Sequence, residues 1–112
     1  MLAVKNRKYK LDAIYNILDS YPDLRFILIG DSGEEDPEIY AQVIESFPNR
    51  ILSAYIREVK HDAKRVDEIR RLAGRVESYG SVLVLAEDAH AMARHAAQQG
   101  WIGSSTVFQP AE

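Results

Sequence analysis

The sequence contains no cysteine, and this absence excludes several kinds of chemistry. Without thiols these residues form no disulfide, supply no thiolate nucleophile and bind no cysteine-ligated zinc or iron–sulfur centre. No apolar run approaches the roughly 20 residues of a membrane-spanning helix, so we expect no membrane span. A basic excess is also lacking, because 14 Lys and Arg face 17 Asp and Glu. We therefore expect no nucleic-acid partner. Because residues 1–10 also contain no sustained apolar segment of the kind found in signal peptides, we expect a cytoplasmic location.

Helical periodicity alternates with short apolar runs along the chain. Apolar spacings of three and four from Lys10 onward predict a helix that ends before Pro22, preceded by an irregular lead-in at residues 1–7. The same spacing predicts three more helices, at residues 37–47, 66–79 and 89–97. Continuous apolar runs predict strands at residues 26–29, 51–56 and 82–86.

This order of elements predicts one α/β domain with a Rossmann-like parallel sheet between two helix layers. Because the strand at residues 26–29 is apolar throughout rather than alternating, we expect helices to cover both of its faces. Residues 101–112 are predicted to form a closing loop, with a short strand near Val107 and Phe108.

An acidic segment follows the first predicted strand directly. Asp31 stands where open α/β sheets keep their ligand sites, outside the carboxyl end of a strand. With Asp36 nearby, it offers the carboxylate oxygens that Mg²⁺ prefers. A second interpretation of Asp36 remains open, since a carboxylate before Pro37 is also a good helix N-cap. Glu34 and Glu35 are interpreted as solvated loop charges.

The remaining polar residues give weaker signals. The three histidines are interpreted as surface residues, because no two of them have the spacing of a metal pair on one helical face. Charged residues on the face opposite the apolar stripe of the helix at 66–79 are interpreted as a solvated face. The basic residues at 64, 65, 70, 71 and 75 are interleaved with acidic ones, so nucleic-acid binding is not expected. The small polar residues at 104–106 follow a glycine without the Gly-Lys pair of a phosphate-binding loop.

A series of motifs between residues 10 and 59 resembles the catalytic domain of the actin-patch phosphatidate phosphatase family. That family belongs to the haloacid dehalogenase superfamily of Mg²⁺-dependent phosphotransferases. The motifs are Lys10 with Ile14 and Ile17, Tyr-Pro at 21–22, Phe-Ile-Leu-Ile-Gly-Asp-Ser-Gly at 26–33, Asp-Pro-Glu-Ile-Tyr at 36–40, Phe-Pro-Asn-Arg at 47–50 and Tyr-Ile-Arg-Glu-Val at 55–59.

The resemblance implies a role for individual residues. It makes Asp31 and Asp36 the ligands of Mg²⁺, and Lys10 the lysine that contacts the phosphoryl group and balances charge. The crevice for the phosphate or substrate would include Ser32, Gly33 and Arg57. The residues alone favour a surface lysine at position 10 and a surface ion-pair partner at position 57. The implied substrate is a phosphorylated lipid or a small phosphomonoester.

One departure from the family limits this expectation. Phosphatases of the superfamily attack phosphorus with the first Asp of an Asp-x-Asp motif, and the second Asp is the general acid and base. No two aspartates of this sequence are separated by one residue, so no nucleophile is assigned in it. We expect residues 1–112 to be a partial haloacid-dehalogenase-like domain, the carboxyl-terminal part, which lacks the usual first strand and is inactive in isolation.

The missing strand would leave an apolar sheet edge for a second copy or a complementing chain. The alternative function is therefore a non-catalytic interaction or oligomerisation module derived from the same fold.

Overall fold

The structure is a computed structural model that describes residues 2–59 and 61–103, with side chains from residue 7 onward. Helices and strands alternate along this part of the chain and confirm the predicted α/β class. The strand predicted near Val107 and Phe108 lies outside the described residues. None of the described helices is both long and apolar enough to cross a bilayer. The elements are α1 (Leu2–Ser20), β1 (Phe26–Asp31), α2 (Asp36–Ser46), β2 (Ile51–Arg57), α3 (Ala63–Val76), a 3₁₀ helix (Glu77–Tyr79), β3 (Val82–Ala86) and α4 (Ala89–Gln98).

The three strands form a parallel sheet in the order β1-β2-β3. At its carboxyl end Asp31 stands opposite Arg57, and Arg57 stands opposite Ala86. Within the described chain β1 is an edge strand, and Ile29 is 63% exposed. The predicted cover on both faces of β1 is therefore wrong at Ile29, because α4 packs against β3 at the other edge of the sheet.

Helices cover the sheet unequally. The larger core lies between the sheet and α2 and α3, with α1 packed against α2, whereas the smaller core lies beneath α4. Buried residues of the larger core are Leu18, Ala41, Val43, Ile44, Ile51, Ala54, Ile56, Ile69, Leu72, Val76 and Leu83. The smaller core contains Tyr55, Ala86, Met92 and Ala96. This two-sided arrangement confirms the predicted helix layers around β2.

The first helix is longer than predicted. It begins at Leu2, so the interpretation of residues 1–7 as an irregular lead-in is wrong. This segment contains neither glycine nor proline, and nothing in it interrupts a helix that the apolar stripe beyond Lys10 already anchors. Beyond the other end of α1, Arg50 donates hydrogen bonds to the carbonyl oxygens of Leu18, Tyr21 and Leu24 at 2.7–3.1 Å. These bonds fix the connection that leads into β1.

Aspartates begin two of the helices as N-caps. Asp88 caps α4, as predicted, and Asp62 caps α3. Asp36 does not cap α2, because the N-cap position is Glu35 and Asp36 is the first helical residue. Its Oδ2 instead accepts a hydrogen bond from the backbone N–H of Asp31 at 3.0 Å. The cap interpretation of Asp36 is therefore wrong, and its carboxylate joins α2 to the end of β1.

The absence of a side chain at Gly30 makes room for this contact. A Cβ atom at position 30 would lie 2.6 Å from Cβ and 2.7 Å from Cγ of Asp36, and still closer to Oδ2. Real Cβ atoms do not come so close to other atoms, so the Asp36 side chain occupies space that only glycine leaves open.

We predict that Gly30→Ala destabilises the chain by about 1–3 kcal/mol, because the added methyl group displaces the Asp36 carboxylate from Asp31. Urea unfolding measures the loss, and the amide exchange rate of Asp31 reports the broken hydrogen bond. Gly74→Ala is the matched control, since a Cβ at that exposed site in α3 meets nothing within 4 Å. It should stabilise the chain by about 0.5–1 kcal/mol. Equal stabilities for the two variants would contradict the packing described for Gly30.

Candidate functional site

The candidate site lies at the carboxyl end of β1, where three predicted site residues meet. Lys10 of α1 donates from Nζ to Asp36 Oδ1 at 3.0 Å and to Glu34 Oε1 at 3.3 Å. Asp36 in turn accepts the backbone N–H of Asp31 through its other oxygen. The hydrogen bond to Asp36 raises the pKa of Lys10, and Glu34 adds to the effect against the opposing effect of burial. Lys10 is therefore protonated at neutral pH and balances the charge of Asp36.

The Asp31 side chain points to a different cation. Arg57 of β2 donates from Nε to Asp31 Oδ1 at 3.1 Å, across the register that sets the two residues opposite each other. Both side chains are accessible, with 39% of Asp31 and 52% of Arg57 exposed. The Asp36 side chain, in contrast, is only 10% exposed. The two carboxylates thus differ in accessibility, and each is paired with its own cation.

Ser32 and Gly33 follow Asp31 in a turn, and only Gly33 is exposed. Ser32 is buried, and its hydroxyl accepts the backbone N–H of Val59 at 3.0 Å. Its own N–H donates to the carbonyl of Arg57 at 2.9 Å. Ser32 therefore attaches the turn to the end of β2. Contact between Ser32 or Gly33 and a phosphoryl group stays a prediction.

The acidic loop, residues 32–35, also contacts α1 through its glutamates. Glu34 is bonded to Lys10, and Glu35 pairs with Arg7 at 3.0 Å. Both glutamates are exposed as predicted, but they are ion-pair partners rather than free loop charges. Because neighbouring carboxylates repel each other, these cations offset much of the charge of the loop.

A cleft of about 720 Å³ opens between α1, the acidic loop and the start of α3. Among its lining residues are Lys10, Ser32 and Gly33, whereas Asp31, Asp36 and Arg57 lie outside its lining. Among residues 2–59 and 61–103, no group of three or more histidine or acidic side chains is arranged to hold a metal ion. The site therefore offers two carboxylates and a lysine beside an open cleft.

Two residues near the site were missed by the sequence analysis. Tyr40 of α2 donates its hydroxyl hydrogen to the carbonyl oxygen of Ile29 at 2.7 Å, on the outer edge of β1. Arg65 of α3, which the sequence marked only as part of a stretch of mixed charge, is 17% exposed and contacts the acidic loop. Arg65 was detectable, because it falls on the apolar stripe of α3 at the spacing of Ile69 and Leu72.

The histidines are not all on the surface. His61 and His90 are exposed, but His95 is half-buried and its Nδ1 lies 2.7 Å from the hydroxyl oxygen of Tyr55. The ring of His95 also contacts Trp101, with ring centroids 5.9 Å apart. The prediction of a surface residue is therefore wrong for His95, which lies three residues after the buried Met92 and thus on the same side of α4.

We predict a high titration midpoint for Tyr40. Burial raises the pKa of Tyr40 to about 12, and the charge of Asp36 adds to the effect. The unfolded chain ionises this group near its usual pKa of 10.0, so the neutral phenol stabilises the fold below pH 10 and that contribution is lost as the pH rises to about 12.

Carbon NMR of the tyrosine Cζ atoms in metal-free protein measures this midpoint, with Tyr40→Phe to assign the resonance. The variant should also lose less stability than the wild type as the pH rises from 10 to 12. A midpoint near 10 for Tyr40 would contradict its burial against β1.

Comparison with known proteins agrees with the family resemblance of the sequence motifs for the first half of the chain. The family model described as "Phosphatidate phosphatase APP1, catalytic domain" matches residues 1–58. Phosphatidate phosphatase APP1 of Saccharomyces cerevisiae is 49% identical over 57 residues, which are 51% of this chain and 9% of that protein. An uncharacterized protein of Schizosaccharomyces pombe, C29B5.04c, is 42% identical over 53 residues, or 47% of this chain and 9% of that protein.

No solved structure matches the chain. The chain spans less than a tenth of the length of either relative in these matches. The family model nevertheless covers more than half of the 112 residues and includes Lys10, Asp31, Asp36 and Arg57. The chain therefore belongs to the family of the phosphatidate phosphatase APP1 catalytic domain.

Proposed function

We propose that residues 1–112 are the carboxyl-terminal part of a single Mg²⁺-dependent, haloacid-dehalogenase-like phosphatase domain. The observation that carries the proposal is the contact of Lys10 and Asp31 with the Asp36 carboxylate at the carboxyl end of β1. This is the edge of a parallel sheet at which α/β enzymes bind their ligands. The parallel sheet with helices on both faces is compatible with this fold.

The donor set fits Mg²⁺, which proteins often hold through one or two carboxylates while waters and phosphate oxygens complete the octahedron. Asp31 and Asp36 would be the ligands, and Asp31 is accessible enough to take one. When bound, the ion supplies positive charge that stabilises a phosphoryl group. Lys10 would neutralise Asp36 and contact the phosphoryl group. Ser32, Gly33 and Arg57 would line the crevice.

The proposed domain is incomplete for catalysis. Covalent attack on phosphorus needs the Asp-x-Asp element, and this sequence contains no such pair. We propose that the element comes from another polypeptide or from a longer chain, in the position beside β1. The relative from Saccharomyces cerevisiae is named for phosphatidate, and the proposed substrate class is a phosphorylated lipid or a small phosphomonoester. The proposed location of the chain is the cytoplasm.

We predict that the 112-residue chain binds Mg²⁺ but does not hydrolyse an aryl phosphate. In an NMR titration, Mg²⁺ should shift the backbone amide signals of Asp31 and Gly33, and Asp31→Asn should abolish the shifts. Asp12→Asn is the matched control, since Asp12 is another accessible aspartate paired with a cation, Lys8, at 2.8 Å.

Hydrolysis of p-nitrophenyl phosphate is then measured with Mg²⁺. Turnover by the wild type that Asp31→Asn removes would contradict the predicted inactivity. An absence of Mg²⁺-dependent shifts in the wild type would contradict the metal site.

A second function is favoured by the accessible edge of β1. Ile29 is 63% exposed on this strand, and an edge strand offers backbone groups to another chain. Under this proposal the chain is a non-catalytic module that binds a second copy or a complementing chain at β1. The acidic loop would then be retained for the fold rather than for a metal.

We predict that the chain self-associates through this edge at high protein concentration. Sedimentation velocity should show a mass that rises with concentration, and Ile29→Lys should suppress the rise because a charge on an edge strand disfavours pairing. Tyr9→Lys, at an exposed aromatic residue of α1, is the control and should leave association unchanged. A wild-type monomer at millimolar concentration would contradict this second function.

A further inference from the structure

Arg65 is the most extensively bonded side chain around the acidic loop. Its Nε donates to the carbonyl oxygen of Ser32 at 3.0 Å, and its Nη2 donates to the carbonyl oxygen of Glu34 at 2.9 Å. Nη1 and Nη2 hold the Glu38 carboxylate at 2.6 and 3.0 Å, and Nη1 also reaches Glu68 at 3.2 Å. All three guanidinium nitrogens are therefore used, in a side chain that is 17% exposed.

These contacts need a guanidinium group. Arginine presents five N–H donors in a rigid planar fork, whereas lysine has three donors on a single nitrogen atom. The acceptors lie in two directions, with loop carbonyls on one side and the Glu38 carboxylate on the other. Burial raises the pKa of Glu38, but hydrogen bonds from Arg65 and from the backbone, together with the charges of Arg65 and Arg7, lower the pKa overall. The pair is consequently ionised at neutral pH.

The bonded groups lie beside both candidate metal ligands. The Ser32 carbonyl belongs to the residue after Asp31, and Glu38 is two residues beyond Asp36. The loop turns through a hydrogen bond from the N–H of Glu34 to the carbonyl oxygen of Asp31, at 3.4 Å, and Ser32 lies within this turn. Arg65 therefore bonds the turn at Ser32 and at its last residue, Glu34, and binds the first turn of α2 through Glu38.

We propose that Arg65 is a positioning residue, which fixes the acidic loop in the conformation that presents Asp31 and Asp36 together. The proposal rests on the proposed function for the identity of the ion, Mg²⁺. It adds a contribution from α3, which lies beyond the residues matched by the family model. Removing a side chain that orients metal ligands without itself binding the metal typically lowers metal affinity 10–100-fold.

The test compares two arginines that both join α3 to α2. Arg75 pairs with Glu45 at 2.7 Å and makes no contact with the loop among the described residues. Arg65→Ala should weaken Mg²⁺ binding by about tenfold or more in the NMR titration. It should also speed amide exchange at Asp31 and Glu34 by about tenfold, whereas Arg75→Ala should change neither quantity.

Arg65→Lys separates positioning from general stabilisation. Lysine keeps the charge near Glu38, so its urea midpoint should return toward that of the wild type. It cannot bond both loop carbonyls and Glu38 at once, so Mg²⁺ affinity should stay near that of Arg65→Ala. Because this variant retains the ion pair, it also covers the case in which Arg65→Ala fails to fold.

The outcomes distinguish this proposal from the proposed function. Wild-type affinity in either Arg65 variant, or equal effects of Arg65→Ala and Arg75→Ala, would overturn the positioning role and leave the metal site intact. If the wild type binds no Mg²⁺, the proposed metal site is wrong, and the amide exchange rates of Asp31 and Glu34 alone decide the role of Arg65. Unchanged exchange at Asp31 and Glu34 in Arg65→Lys would then overturn it.

Discussion

The site and its surroundings depend on the hydrogen bonds that the Asp36 carboxylate accepts. The carboxylate packs against Gly30. One of its oxygens accepts a hydrogen bond from the outward N–H of Asp31, and the other accepts one from the ammonium group of Lys10. A backbone donor on the outer edge of β1 has no strand partner in the described chain, and an unsatisfied donor is costly when shielded from water. Asp36 supplies that partner, and Tyr40 does the same for the Ile29 carbonyl. Two side chains of α2 thus bond two outward backbone groups of β1 for which the sheet provides no partner.

Sequence periodicity was sufficient for the sheet and for the place of Asp31. Apolar runs and helical stripes are local properties, so the strand at 82–86 and the Asp88 cap could be read directly. The partners of the Asp36 carboxylate could not be predicted in this way. A carboxylate before proline can cap the helix or bind a metal ion, and only the tertiary structure decides between the two interpretations. Only the family resemblance singled out Lys10 as a site residue, and its contact with Asp36 was not predictable, since contact between α1 and α2 leaves no trace in local spacing.

Charged and polar residues on helices were the main source of error. The patterns assigned no buried role to either residue, yet Arg65 lies on the buried stripe of α3, four residues before Ile69, and His95 lies three residues after the buried Met92 of α4. A long or amphipathic side chain can occupy a core-facing position when its polar end finds partners. For Arg65 the partners are loop carbonyls and Glu38, and for His95 the partner is the Tyr55 hydroxyl. Their position on a stripe was visible in the sequence, but their partners were not.

The two carboxylates of the site should respond differently to a divalent ion. The pair of Asp31 with Arg57 is exposed on both sides, and exposed ion pairs contribute only about 0–1 kcal/mol. Asp36 is 10% exposed and accepts a backbone N–H as well as Lys10, so freeing it would leave the Asp31 N–H without its acceptor and remove the shorter bond of Lys10. Under the proposed function, Asp31 would therefore be the ligand that exchanges its present partner, Arg57, for Mg²⁺, while Asp36 would keep its contacts with Lys10 and the Asp31 N–H. Arg57 would then be without its carboxylate partner at the carboxyl end of β2, and its charge would be available to a phosphate.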